Sequence, residues 1–203
     1  MAAPFPARRP IAFLEHWLSC AERPRTADVL FVLAGADDRK LYALDLYREG
    51  VAPILLFSVA RYDIRRFSKM PLPVPLNLLE IAAPTPAPLR HFFVLFASGS
   101  VEVEYVQPKR LGTMTEVAAL GRWLERHPEV QSLLLLSNAI HLRRIRLCCR
   151  SVLPRTVCLT FMASPDSSTA DSSKEKRMAR ARPALLELTK LIGYWIGLRF
   201  RAH

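Results

Sequence analysis

The chain has 203 residues, a formal charge of +11 and 51% hydrophobic residues. That length suits one domain with an apolar core rather than two full ones, and the hydrophobic share excludes a disordered chain. No stretch is long and apolar enough to cross a bilayer, and the first apolar run, Ile11 to Leu18, is broken by Glu15 and His16, so no export signal is expected.

Ile11, Leu14, Leu18 and Ala21 recur at helical spacing, so the first 27 residues read as an N-terminal segment around a short amphipathic helix. Val29 to Leu33 (VLFVL) has the composition of a buried parallel strand. It ends at Ala34-Gly35-Ala36. Asp37 and Asp38 then lead into a helix predicted from Arg39 to Glu49, with Leu41, Leu44 and Tyr47 at helical spacing and Gly50 as its C-cap. A second strand, Ile54 to Phe57, stops at Ser58. Such a β-α-β unit calls for a parallel sheet covered by helices. Between residues 61 and 90, prolines separate two short helices, Arg61 to Lys69 and Leu76 to Ala82. His91 to Ala97 and Val101 to Val106 flank Ser98-Gly99-Ser100 as a hairpin expected on a sheet edge, with Glu102 and Glu104 on its solvated face.

From Gly112 the α/β rhythm returns. Thr113-Met114-Thr115-Glu116 opens a helix carrying Val117, Leu120 and Leu124, and Ser132 to Leu136 is a buried strand ending at Ser137-Asn138. A helix with Leu142, Ile145, Cys149 and Val152 on one face runs to Pro154, and Val157 to Phe161 is the last strand. Residues 163 to 182 read as a polar, basic linker, partly helical near its end, and Leu185 to Phe200 as a closing helix. Its stripe of Leu185, Leu188, Ile192, Trp195 and Ile196 is expected to pack on the domain, with Glu187, Lys190, Tyr194 and Arg201 largely away from it. The fold class is α/β: a Rossmann-like three-layer α/β/α domain over 28–162, with a mostly parallel sheet, a β-hairpin insertion and a C-terminal extension over 163–203.

Cys20, Cys148, Cys149 and Cys158 lack the spacing of a zinc site or a redox pair and read as buried thiols in a reducing compartment, so no metal is expected. His16, His91, His127 and His203 have no ligand-like spacing and are assigned no function. No GxSxG, HExxH, Walker A or complete GxGxxG pattern is present. Two basic clusters stand out: Arg143, Arg144, Arg146 and Arg150 on one helix, and Lys174 to Arg182 in the tail. They attract phosphates on nucleotides, nucleic acid or anionic lipid without choosing among them.

In an open parallel sheet, ligands collect at the carboxyl ends of strands. Polar residues follow the strand runs here in order: Gly35, Asp37, Asp38 and Arg39; Ser58; the Thr113-Met114-Thr115-Glu116 turn; then Ser137, Asn138, His141 and Arg144. The phrases Ala34-Gly35-Ala36 with Arg39, Leu46-Tyr47-Arg48-Glu49-Gly50-Val51-Ala52-Pro53, Ser58-Val59-Ala60, Thr113 to Glu116 and Ser137-Asn138-Ala139-Ile140-His141-Leu142-Arg143-Arg144 resemble, in order and spacing, those of the YdcF-like (SanA/ElyC/YdcF) family, a domain of unknown function. The resemblance covers about residues 28 to 160. It implies a bacterial, envelope-related role and, for some members, S-adenosylmethionine binding. Only Gly35 remains of the family's glycine triplet, and Val59 and Ala60 replace both glycines of its Ser-Gly-Gly turn. Side chains at Ala34, Ala36, Val59 and Ala60 would keep a ligand from the backbone, so weak binding of S-adenosylmethionine or a nucleotide is expected.

The leading reading is a small-anion or nucleotide-like ligand site. Arg39 and Arg144 would meet negative charge, His141 and Glu116 would act as acid and base, and Gly35, Asp37, Ser58, Thr113, Thr115, Ser137 and Asn138 would contribute contacts. Each has a structural alternative. Asp37 and Asp38 can favour a helix dipole, Thr113-x-x-Glu116 has capping-box spacing, Ser137 or Asn138 can cap the next helix, and His141 can be a structural hydrogen-bonding histidine. A second reading is a non-catalytic regulatory or scaffolding protein, cytoplasmic and peripheral to the inner membrane, whose basic tail and closing helix engage anionic lipid or a membrane partner. Nucleic-acid binding rests on charge alone and ranks last.

Overall fold

An uninterrupted apolar strand needs cover on both faces, and β1 (Val29–Val32) receives it: all four residues are buried at the sheet's centre. The computed structural model describes residues 9–107, 112–165 and 174–199. Val29 and Phe31 join one core layer with α5 (Gly112–Arg126) and α6 (Leu142–Val152). Leu30 and Val32 join the opposite layer with α2 (Asp37–Arg48), α3 (Ile64–Phe67) and α4 (Leu78–Ala82). The period of two along the strand thus divides the core into the two layers of an α/β/α sandwich.

The six strands run in the order β4-β3-β2-β1-β5-β6. β1 lies parallel to β2 (Ile54–Ala60) with Val29 opposite Ile54, and parallel to β5 (Ser132–Ser137) with Val29 opposite Leu133. β6 (Cys158–Ala163) extends the parallel side beyond β5. β3 (His91–Ala97) and β4 (Ser100–Tyr105) form an antiparallel hairpin at the other edge. A Rossmann-like, mostly parallel sheet with an edge hairpin is therefore what the chain forms. On β4, Glu102 and Glu104 face solvent, where Glu104 pairs with Arg126 at 2.6 Å.

Several expected boundaries move, each for a tertiary reason. β2 continues through Ser58, Val59 and Ala60, because β3 pairs with them antiparallel (Ser58 opposite Phe93, Ala60 opposite His91). Ser58 is consequently inside a strand rather than at its end, and no Ser-Gly-Gly-like turn exists at 58–60. α2 begins at Asp37, so Asp37 and Asp38 form its first turn instead of preceding it. Cys148 and Cys149, only about 100° apart around α6, are both buried, while Val152 is exposed. Among the four cysteines, all free, Cys158 is exposed, against the expectation of buried thiols.

The largest revision concerns the two terminal helices. α1 (Arg9–Ser19) lies against α6 and α7, with Leu18 buried, but Ala21 falls beyond the helix and is exposed. α7 runs from Lys174 to Arg199, so the part of the 163–182 linker expected to be helical near its end is helical from Lys174 and continuous with the closing helix; Pro183 lies inside the helix. The face α7 turns to the domain carries Ala184, Glu187, Leu191 and Tyr194, all buried. Leu185, Ile192 and Trp195 of the expected packing stripe are instead 50–55% exposed. Glu187 on this face makes ion pairs to the domain, beside the packed Ala184, Leu191 and Tyr194. The side chain of Ile196, Arg201 and the 166–173 part of the linker lie outside the described residues.

Candidate functional site

The strand order reverses direction at β1: the chain moves from β1 to β2 on one side and returns to β5 on the other. The crevice outside the carboxyl ends of β1 and β5 is therefore the switch point of the sheet, where the connections diverge and leave room for a ligand. A cavity of about 240 Å³ sits there. Leu33, Ala34, Gly35, Ala36 and Arg39 line it from the β1–α2 turn, and Thr113 and Glu116 line it from the first turn of α5. Ser137, Asn138, His141, Arg144 and Ile145 complete it from the β5–α6 connection. The structure thus brings together Gly35, Arg39, Thr113, Glu116, Ser137, Asn138, His141 and Arg144. It does not bring Asp37, Ser58 or Thr115 to the cavity. Asp37 pairs with Arg66 at 3.2 Å, and Thr115 is buried in α5.

The β1–α2 turn is held by internal polar groups. Gly35 has φ +127°, a conformation that L side chains rarely adopt, and a Cβ there would stand 3.4 Å from Arg39 Nη2. Arg39 Nη1 donates to the carbonyls of Leu33 and Ala34 at 2.9 Å each, while Nη2 and Nε donate to Asn138 Oδ1 at 2.6 and 3.2 Å. Arg39 thereby clamps the β1 end to the β5 end, and the Asn138 side chain serves that clamp and caps no helix. Below it, Lys40 Nζ donates to the Gly35 carbonyl at 2.6 Å and to Asp63 Oδ2 at 3.1 Å. The same Asp63 oxygen accepts the Gly35 N–H at 2.9 Å. Lys40 and Asp63 are both buried. Sequence alone gives no sign of this pair, since an Asp in a short basic helix and a Lys in an amphipathic helix look like ordinary surface residues.

Glu116 belongs to the cavity and to no capping box. Its Oε1 accepts the Ala34 N–H at 2.7 Å, across the sheet end from its own helix. Ser58 also hydrogen-bonds the carboxylate. His91 Nε2 lies 2.7 Å from Ser58 Oγ. His91, Ser58 and Glu116 thus form a continuous polar chain behind the cavity floor. Burial raises the Glu116 pKa, against hydrogen bonds from Ala34 and Ser58 and the charges of Arg39 and Arg144. Burial lowers that of His91 to about 4, with Asp63 opposing, so His91 is neutral at pH 7. His91, unassigned from sequence, is thus part of the site's support. Its partner lies 33 residues away, across a β-pair that spacing alone does not reveal.

On the opposite wall, α7 contributes a carboxylate. Glu187 Oε2 accepts from Arg144 Nε at 2.8 Å and lies 3.1 Å from His141 Nδ1, and Oε1 accepts from Lys190 at 2.9 Å. Burial opposes ionisation of Glu187, but the contacts with His141, Lys190 and Arg144 together hold its pKa below the usual carboxylate range. Arg144 also donates through Nη1 to Thr113 Oγ1 and lies over the Tyr194 ring at 5.6 Å. His141 and Arg144 therefore share one carboxylate partner, as their three-residue spacing on one face allows. The expectation of Glu187 on a polar face away from the domain is thereby corrected. A glutamate three positions before Lys190 gives no local sign that it will be buried.

Comparison of the chain with protein-family models, curated proteins and solved structures finds no match. The chemistry of the cavity must be read from its own residues. Among the described residues no group of three or more His, Cys, Asp or Glu side chains is placed to hold a metal ion. The backbone N–H groups of Ala34 and Gly35, which could have received a ligand's phosphate, are already bonded to Glu116 and Asp63. What faces the cavity is a set of side chains: two guanidinium groups, an imidazole, a hindered carboxyl, two hydroxyls and an amide.

Proposed function

We propose that the switch-point cavity binds a small ligand bearing one anionic group, and that Glu116 and His141 give it acid–base capacity. The observation that carries this reading is the convergence of Arg39, Arg144 and His141 with Thr113, Ser137 and Asn138 on one cavity at the ends of β1 and β5. Size narrows the ligand. About 240 Å³ corresponds to the liquid volume of roughly eight water molecules and falls below the range of sites that enclose whole cofactors. A phosphate- or carboxylate-bearing fragment suits it better than a complete nucleotide. The engagement of the Ala34 and Gly35 amides also argues against tight cradling of a pyrophosphate.

Roles follow from the contacts. Arg39, tied to two carbonyls and Asn138, fixes the rim more than it reaches for a ligand. Arg144 supplies the charge attraction. His141 has Nδ1 against Glu187, which leaves Nε2 as the nitrogen to exchange a proton with a ligand. Glu116, with burial favouring its neutral form, supplies a proton across the cavity. Of the phrases that resemble the YdcF-like family, those at 34–39, 113–116 and 137–144 contribute residues to this cavity, whereas 46–53 and 58–60 do not.

Calorimetric titration of the full chain with inorganic phosphate, and separately with S-adenosylmethionine, tests it. Millimolar phosphate binding that weakens about tenfold or more in Arg144→Gln, with unchanged circular dichroism, is expected, since a charge-assisted contact contributes about 1.5–3 kcal/mol. S-adenosylmethionine should bind weakly. Phosphate binding unaffected by Arg144→Gln, or no binding of either probe, overturns the reading.

A further inference from the structure

The outward stripe of α7 does not stand alone. Leu185, Leu188, Ile192 and Trp195 repeat at three- and four-residue intervals along it, and α1 presents Phe13 and Trp17 four residues apart. Between α1, α6 and α7 runs an open groove of about 340 Å³, predominantly apolar, with Trp17, Leu147, Leu188, Leu191, Ile192 and Trp195 along its walls. Around it stand Arg143, Arg146 and Arg150, which α6 places on one stripe by the same three- and four-residue spacing. The Arg143 guanidinium lies 4.0 Å from the centre of the Trp17 ring, and Arg146 pairs with Glu22. Among the described residues no acidic side chain lines the groove. This is separate from the polar cavity: its lining shares no residue with the switch-point site.

Ile192 and Trp195 in the groove lining are each 50% exposed and Trp17 is 38% exposed, while Phe13, one turn before Trp17, and Leu185, on the stripe of Ile192, are 70% and 55% exposed. The charge beside it selects the partner. A second copy of the chain would have to bring the Arg143 and Arg150 charges of both copies onto one apolar face, with no acidic residue of the groove lining to offset them. An anionic surface is complementary to them. Tryptophan suits the boundary between lipid headgroups and acyl chains, because its ring is apolar and its N–H is polar. The first turns of α7 add Lys174, Lys176, Arg177, Arg180 and Arg182 to the same helix. Among the described residues no helix is long and apolar enough to cross a membrane, and a contact along the surface requires none.

We propose that the α1–α6–α7 groove is a docking face for an anionic phospholipid bilayer, with acyl carbons against Trp17, Leu188, Ile192 and Trp195 and lipid phosphates at Arg143 and Arg150. The polar cavity is not needed for this contact.

Co-sedimentation of the full chain with vesicles tests it, comparing phosphatidylglycerol mixed equally with phosphatidylcholine against phosphatidylcholine alone, at low and at high salt. Binding to the anionic vesicles, weaker in high salt and absent with the neutral ones, is expected. Arg143→Gln with Arg150→Gln should lower the partition coefficient about tenfold or more, as should Trp195→Glu, whose exposed position spares the core. Trp123 is buried in the core, so a blue shift of tryptophan emission on adding vesicles reports on Trp17 and Trp195. Absence of binding to anionic vesicles at low salt overturns the proposal. So does binding that survives the groove variants but is lost when the basic residues of 174–182 are neutralised, because the tail alone then suffices. Dimerisation in solution that Trp195→Glu abolishes, without lipid binding, assigns the face to a second copy and also overturns it.

Discussion

At Gly35 the requirement is the backbone angle of +127°, which favours glycine; a Cβ there would meet the Arg39 guanidinium at ordinary contact distance. Gly35→Ala should therefore cost about 1–3 kcal/mol, read as a lower urea midpoint with unchanged slope, and should loosen the Arg39 clamp between the β1 and β5 ends. His91 gives a second, pH-dependent test. Its pKa falls from 6.5 to about 4 on folding, so the unfolded chain takes up the proton first as pH drops. The contribution of the neutral, buried ring is present above pH 6.5 and is lost as pH falls toward 4, by about 2–3 kcal/mol. Glu116 acts in the opposite sense. Its raised pKa means that stability declines as pH rises from the ordinary carboxylate value through the folded one. The measurement should therefore be the difference between wild type and His91→Gln at pH 7 and pH 4.5. The variant should lose markedly less stability on acidification. Equal losses would mean that His91 is not the group responsible.

Among the elements, α7 depends most on a single side chain. Glu187→Gln should cost roughly 2–4 kcal/mol, because Arg144 and His141 lose their shared anion while the polar groups stay buried. Urea denaturation checks the size. Acid titration checks the cause: the depressed pKa of Glu187 gives stability that is present above about pH 4.5 and lost as pH falls, and the variant should lack that loss. The helix also shows what periodicity conveys and what it omits. The stripe Leu185, Leu188, Ile192 and Trp195 was legible, but its direction was not, because the spacing of apolar residues identifies a face without naming what covers it. The face that packs combines Ala184, Leu191 and Tyr194 with Glu187, whose partners Arg144 and His141 lie more than 40 residues earlier in sequence. Strands with four or more apolar residues were legible because burial on both faces leaves a continuous run. The end of β2 was missed because its last residues form a strand only through pairing with β3.

For the molecule as a whole, the alternation of strand and helix was enough to specify a parallel sheet with an edge hairpin, and the polar residues after β1 and β5 were enough to point at one corner. The residues that support the corner from behind, Lys40, Asp63, His91 and Glu187, were not legible. Each resembles a surface residue until a distant partner takes it out of water. That division also has a consequence in time. Pairing β1 with β5 brings Val29 beside Leu133 and leaves a loop of about a hundred residues to be closed, whereas β2, β3 and β4 join through neighbouring segments. Closure of so long a loop is slow compared with hairpin formation. During synthesis the β1-α2-β2-β3-β4 half can collapse while β5 is still to come, and the switch-point cavity then arises only when the late strand docks. Pulse-labelled hydrogen exchange during refolding should show amides of β2 and β3 protected before those of β5, so that the walls of the ligand site are the last part of the sheet to become native.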